Sequence, residues 1–192
     1  MTKKPARLRV LGIDPGTATT GWGVVEYEDS GKGKGGKLNG KDNGLSYVDF
    51  GLILTPKDTP MEHRLLTLYE GLMALFKKVQ PDCVVVEQLF FGVNSRTAMT
   101  VGQARGVVML SAASNRVDFY EYQGLQVKRI LTTSGKADKK DIQKAVLERL
   151  RLKEFAKPED QGGKAGNTYL DDAVDALAIA ICHIEKTMKG VT

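Results

Sequence analysis

The sequence predicts an α/β fold, a single domain over residues 1–192 with a five-stranded mixed sheet flanked by helices. Three observations carry this. Segments follow the order β-β-β-α-β-α-β-α-α, which describes one sheet with a hairpin on one side. The run CVVVE at 83–87 is short and continuously apolar up to its last residue, as a central buried strand is. The stretch GNTYLDDAVDALAIAICHIE at 166–185 is apolar nearly all round past Asp175, which predicts a helix covered on most sides.

The elements follow in order. RLRVLGID and TGWGVVEYE are β-rich and joined by PGTAT, a turn rich in Gly, Pro and Thr. EDSGKGKGGKLNGKDNG, with six glycines and four lysines, predicts a flexible loop near 29–44 at the end of a hairpin, either a tolerated insertion or a basic finger. LSYVDFGLIL is a third strand. Over 60–79, Leu65, Leu68, Leu72, Leu75, Phe76 and Val79 recur at helical spacing, and Pro81 ends the helix. Residues 94–116 form a helix opened by Asn94 or Ser95. DFYEYQGLQVKRIL contains another strand, a basic helix spans about 138–152, and a second Gly-rich loop lies near 157–169 before the closing helix.

Composition narrows the function classes. The hydrophobic share of 42% and charged share of 27% fit a soluble globular protein. No apolar run approaches the roughly 20 residues of a membrane span, and MTKKPARLRVLGID lacks the apolar core of a signal peptide. Cys83 and Cys182 sit in apolar stretches and read as buried thiols, which points to a reducing cytoplasm. With two cysteines, two histidines and no close cluster of them, a zinc site is disfavoured, so any metal would be a hard cation on oxygen ligands. The segment 126–153 holds nine Lys or Arg against three acids, more than accounting for the net charge of +5 of the whole chain. Such a segment is either an electrostatic footprint for a polyanion or a solvated helix face.

Four acids stand out. Asp14 ends the first strand before Pro15 and Gly16, a placement that suits both ordinary turn chemistry and close approach of a metal and a phosphate. Glu87 ends an otherwise wholly apolar strand; a buried glutamate is protonated, paired or metal-bound, whereas on an edge strand it would face solvent. Asp172 and Asp175 are one helical turn apart on one face. Asp171 points elsewhere and is expected to cap the helix N-terminus. The helix dipole favours all three acids but does not explain Asp175 inside the apolar stretch. Two Mg²⁺ ions roughly 4 Å apart could neutralise the four acids and act on a phosphodiester.

VLGIDPGTATTGWGVV, VVVEQLFFGVNSRTAMTVGQARGVV, YEYQGLQVKRILTTSGKADKKDIQ and DDAVDALAIAICH, in this order and spacing, together resemble the RuvC-type Holliday junction resolvases. The resemblance covers nearly the whole chain apart from the two loops. It implies a ribonuclease-H-like fold, a homodimer, and Mg²⁺-dependent paired nicking of four-way DNA junctions in recombination and repair, with Mn²⁺ able to substitute. By position it places the catalytic and metal-binding acids on Asp14, Glu87, Asp172 and Asp175, and Asp14 is then expected to bridge the ions. It places DNA-contacting lysines on Lys128 and Lys139 and a base-stacking aromatic on Phe90, with one of Phe90 and Phe91 expected in the core. A RuvA–RuvB-like branch-migration motor is implied as partner, and no membrane. Ala98, Gly102 and Gly106 form a small-residue ridge, either the dimer seam or internal packing against the sheet. Two other classes compete. GIDPGTATTGWG is also similar to the first phosphate loop of the actin and sugar-kinase ATPases, which need two such domains, and a junction-binding protein without catalysis would have lost its metal site.

Overall fold

The structure, a computed structural model, describes residues 6–29, 43–88, 95–155, 167–188 and 190. Strands β1 (Arg7–Asp14), β2 (Thr19–Glu28) and β3 (Leu45–Leu54) precede helix α1 (Met61–Val79). Strand β4 (Cys83–Glu87), helix α2 (Ser95–Ser114) and strand β5 (Asp118–Tyr122) follow, then helices α3 (Gly124–Thr132), α4 (Lys139–Leu150) and α5 (Asn167–Met188). The five strands lie in the order β3-β2-β1-β4-β5, with β1, β2 and β3 antiparallel and β4 and β5 parallel to β1. The mixed sheet flanked by helices is the one the sequence predicts.

Strand alternation divides the core between the two faces. Val10, Cys83, Val85 and Tyr122 point to the side covered by α3, α4 and α5, while Leu11, Ile13, Val84 and Val86 meet α1 and α2 on the other. Because β4 runs between β1 and β5, its residues are apolar on both faces, and the edge-strand reading of Glu87 does not hold.

The unusual composition of α5 follows from its place. One side lies on β1 and β2 and the other is roofed by α3 and α4, so Ala173, Val174, Ala176, Leu177, Ala178, Ile179, Ala180, Ile181, Cys182 and Ile184 are all buried. Burying each Leu or Ile contributes about 1.5–3 kcal/mol relative to exposure, and the alanines let the helix come close. Glycines in the sheet complete that approach. A Cβ on Gly12 would collide with the Ala176 carbonyl oxygen, and one on Gly21 with the Asp172 carbonyl. A Cβ on Gly23 would come within 2.6 Å of the Leu177 side chain. The helix backbone therefore sits directly on the strand backbones.

Polar groups enclosed here have partners. His183 of α5 lies with Nδ1 3.1 Å from Tyr122 Oη and Nε2 3.6 Å from Cys83 Sγ, and burial pushes its pKa down to about 4, keeping the ring neutral. Arg149 Nε donates to Glu185 Oε1 at 2.9 Å and its second arm to the Ile130 carbonyl at 3.1 Å, which ties α4 to α5 and α3. Both cysteines are free and buried, as expected, and burial pushes each thiol up to about 12.

Two expectations are corrected. The sequence predicts only a strand in DFYEYQGLQVKRIL, whereas β5 ends at Tyr122 and helix α3 starts two residues later. Its Val127, Ile130 and Leu131 make a short apolar stripe that a nine-residue helix displays only once. Asp171 does not cap α5, because the helix already begins at Asn167 and Asp171 stands in its second turn. The other helices agree within a few residues; α4 starts after Asp138, whose carboxylate accepts from the Asp141 N–H at 2.9 Å in a reciprocal capping box.

Gly12→Val should force α5 off the sheet, because the added side chain meets helix backbone rather than a flexible tip. Urea unfolding should show a loss of about 3 kcal/mol; a wild-type midpoint would mean that the helix is not seated on β1.

Candidate active site

The acids are brought together by backbone placement. Parallel pairing of Ile13 with Val86 sets Asp14 and Glu87, the next residues of each strand, side by side at the carboxyl ends of β1 and β4. Both belong to the face covered by α5, two residues along from Gly12 and Val85. Asp14 also pairs across β2 with Gly21, and the Asp172 carbonyl sits against Gly21. Asp175 lies one turn further along α5, just before Ala176, which rests on Gly12. Four carboxylates thus converge from two adjacent strand ends and one helical turn.

The turn after Asp14 is tight. Thr20 Oγ1 donates to the Gly16 carbonyl at 2.7 Å and accepts from the Gly16 N–H at 3.3 Å, while a Cβ on Gly16 would strike the Thr19 carbonyl. The chain therefore turns sharply away and leaves the Asp14 carboxylate at the strand end. Glu87 reaches toward the start of α3, where a Cβ on Gly124 would collide with its Oε1. Beside it lies a pocket of about 160 Å³, lined by Glu87, Lys128, Asp138, Lys139 and Asp175 among others.

The electrostatics are those of acids short of positive charge. Burial pushes Asp14 up to about 7, and the charges of Asp175, Asp172 and Glu87 push the same way against Lys139. Asp175 is raised to about 6, first by burial, with Lys139 opposing and Glu87, Asp171 and Asp172 adding to the rise. Burial also raises Asp172 against Lys139, and Glu87 against Lys128. Like charges in a poorly solvated place disfavour ionisation, and a cation among them reverses that.

Among the described residues, no three acid, histidine or cysteine side chains close around one point as a finished metal cage. Glu87 and Asp175 line the pocket, the charges of Asp175, Asp172 and Glu87 all act on Asp14, and the donors are oxygen throughout. That chemistry suits a hard divalent cation with room left for a phosphate oxygen, and not zinc. The set fits the ion that the sequence implied.

The lysines lie at the rim. Lys128 is on α3 and Lys139 is the first residue of α4, and both line the pocket. Lys139 Nζ donates to Asp171 Oδ2 at 3.3 Å, and Asp171 Oδ1 accepts from Gln143 Nε2 at 2.9 Å. Sequence reasoning missed Gln143 and Gly124. A glycine two residues after a strand was the only signal for Gly124, and nothing local marked Gln143. Phe90 and Phe91 lie outside the described residues, as do most of the loops near 29–44 and 157–169.

The two glycines of the small-residue ridge on α2 do not pack inside. A Cβ on Gly102 or Gly106 would meet nothing within 4 Å, whereas Ala104, Val108 and Ala112 face the core. Met99, Met109 and Leu110 are exposed, Met99 at 68% and Leu110 at 58%. At Gly102 and Gly106 the ridge does not pack against the sheet, because α2 turns its Ala104, Val108 and Ala112 face inward.

The family profile for crossover junction endodeoxyribonuclease RuvC matches residues 10–183. A protein of that name from Chloroflexus aggregans is 46% identical over 177 residues, 92% of each chain. Another from Desulforamulus reducens is 42% identical over 176 residues, 92% of this chain and 93% of its own. Among solved structures, Thermus thermophilus RuvC in complex with a Holliday junction substrate matches with a TM-score of 0.76 and 28% identity, over 95% of this chain and 96% of that one. The yeast mitochondrial resolvase Ydc2, at 13% identity and a TM-score of 0.61 over 94% of this chain and 79% of that one, shares the fold. The architecture is therefore ribonuclease-H-like, and neither the ATPase reading nor the non-catalytic binder is supported. An α/β sheet that gathers four acids beneath a lysine-lined rim, with relatives matching it along nine-tenths of its length, belongs to the RuvC family of crossover junction endodeoxyribonucleases.

Proposed function

We propose that this protein is a metal-dependent endonuclease that resolves four-way DNA junctions by nicking two strands of like polarity. The observation that carries this reading is the gathering of Asp14, Glu87, Asp172 and Asp175 at two neighbouring strand ends and one helical turn, beside a pocket that Glu87 and Asp175 line together with Lys128 and Lys139. Asp14, which stands between Glu87 on the neighbouring strand and the two acids of α5, would hold the metal together with Glu87, Asp172 and Asp175, and oxygen donors of this kind would suit two Mg²⁺ ions, with Mn²⁺ an acceptable substitute. Such ions, when bound, favour ionisation of an attacking water and neutralise charge on the leaving oxygen.

The chain's own residues do the rest. Lys128 and Lys139 hold backbone phosphates on either side of the pocket mouth, where a point charge suits a phosphate oxygen. The apolar residues behind Asp175, with Ala178 and Ile179 in the pocket wall, keep bulk water from the rear of the site. In-line attack by water breaks the bond to the 3′ oxygen and leaves a 5′-phosphate and a 3′-hydroxyl, ends that a ligase can join. Phe90 is assigned by likeness to stacking on a base at the crossover.

Paired cutting requires two sites, and a two-fold homodimer supplies them because a junction offers two equivalent strands. The exposed Met99, Met109 and Leu110, beside the open backbone of Gly102 and Gly106, form the face on which a second copy would sit. A branch-migration motor of the RuvA–RuvB kind is the partner that would deliver the junction. Free buried thiols fit action in the cytoplasm.

Asp14→Asn should bind a labelled synthetic junction with wild-type affinity yet nick it roughly a thousandfold more slowly in Mg²⁺, reflecting several kcal/mol of lost charge stabilisation. Retained cutting would remove Asp14 from the metal set. Lys139→Ala should weaken junction binding and flatten the dependence of log affinity on log salt by about 0.9, one counterion fewer being released; an unaltered slope would mean no phosphate contact. Leu110→Glu should sediment as a monomer where the wild type sediments as a dimer, and an unaffected dimer would place the seam elsewhere.

A further inference from the structure

Asp171 is the acid of the DDAVD run that the proposed metal set leaves unused. It stands one residue before Asp172, turned about 100° around the helix, and both of its oxygens are engaged by α4. Oδ1 accepts from Gln143 Nε2 at 2.9 Å and Oδ2 from Lys139 Nζ at 3.3 Å. Lys139 and Gln143 are four residues apart on α4 and share a face, so one carboxylate spans the two.

As a staple this contact is weak. The Lys139 side chain is 71% exposed, and an exposed ion pair contributes little to stability. What the pair does is restrict the ammonium. The backbone of Lys139 is already held, because it is the first helical residue after the Asp138 capping box. Its long side chain would otherwise sample many rotamers over open solvent. Tied to Asp171, the ammonium stands over the pocket it lines with Glu87 and Asp175, and its charge acts on Asp14, Asp172 and Asp175.

We propose that Asp171 is a positioning residue which, steadied by Gln143, holds the Lys139 ammonium at the mouth of the acid pocket where the phosphate beside the scissile bond arrives. This rests on the reading of Lys139 as a phosphate contact. Ordering the lysine beforehand removes that entropy loss from the reaction and places positive charge where it is needed. The carboxylate does not touch the DNA; it acts through the lysine.

The test is a double-mutant cycle on the full chain, read by single-turnover nicking of a synthetic junction at saturating enzyme, by junction affinity, and by thermal melting. Asp171→Asn keeps the oxygen that accepts from Gln143 and removes the charge that holds Lys139. It should slow nicking by about five- to tenfold while affinity and melting midpoint stay near wild type. In a Lys139→Gln background the same substitution should change the rate by less than about twofold. Equal slowing in both backgrounds, or no slowing in either, overturns the positioning role. So does a lowered melting midpoint accompanied by lost affinity, which would make Asp171 a structural clamp between α4 and α5. If Lys139→Gln alone leaves nicking and affinity at wild-type values, the phosphate-contact reading falls and this role with it, a result visible without any Asp171 variant.

Discussion

The packing of α5 on bare strand backbone is the constraint on which the rest of the molecule depends. Gly12 and Gly21 carry no side chain at the places where the Ala176 and Asp172 carbonyls come down on β1 and β2. A helix laid on ordinary strand side chains would stand roughly 10 Å from the sheet, the usual spacing of packed layers. Here it comes closer, and the gain is positional. Asp172 and Asp175 sit beside Asp14 rather than above it, within the reach of short side chains. Alanine-rich composition on the helix and glycine in the strands are two halves of one device.

That device places charge where charge is costly. Asp14 and Asp175 are raised well above the ordinary carboxylate range, chiefly by burial and then by one another. In stability terms the four acids oppose the fold, and the apolar burial of α5 offsets them. Local instability of this kind is characteristic of sites arranged to receive something. An all-oxygen donor set with unneutralised negative charge describes what it would receive, a hard cation. The rim answers with the opposite sign, since Lys128 lowers the raised Glu87 and Lys139 opposes the rise at Asp14, Asp172 and Asp175. Acid at the floor and lysine at the edge suit a phosphodiester, whose backbone must be attracted while its reacting phosphorus is brought to metal.

Two faces of the sheet have separate duties. The α5 side carries the acids, the lysines and the buried His183 cluster. On the other side α1 and α2 complete the core through Leu68, Leu72, Val108 and their neighbours, while α2 leaves methionine, leucine and glycine toward solvent. Because α2 and α5 lie on opposite faces of the sheet, these exposed residues and the acids are on separate sides of it.

Much of this was legible in the chain itself. The succession of strands and helices along the chain, the interior position of CVVVE, the enclosed closing helix and the four acids follow from local pattern, because hydrophobic periodicity and charge in an apolar run are properties of neighbours in sequence. The family likeness was equally a matter of ordered motifs. Convergence was not legible: that Asp14 stands next to Glu87 depends on the register of Ile13 with Val86, seventy-odd residues away. Helix α3 was hidden because a nine-residue helix running straight on from a strand shows one turn of pattern and no more. Asp171 was misread as a cap, since the start of α5 is set by residues ahead of the acidic run rather than by the run itself. Its pairing with Lys139 and Gln143 exists only because α4 folds back against α5, a contact between helices that no local pattern encodes.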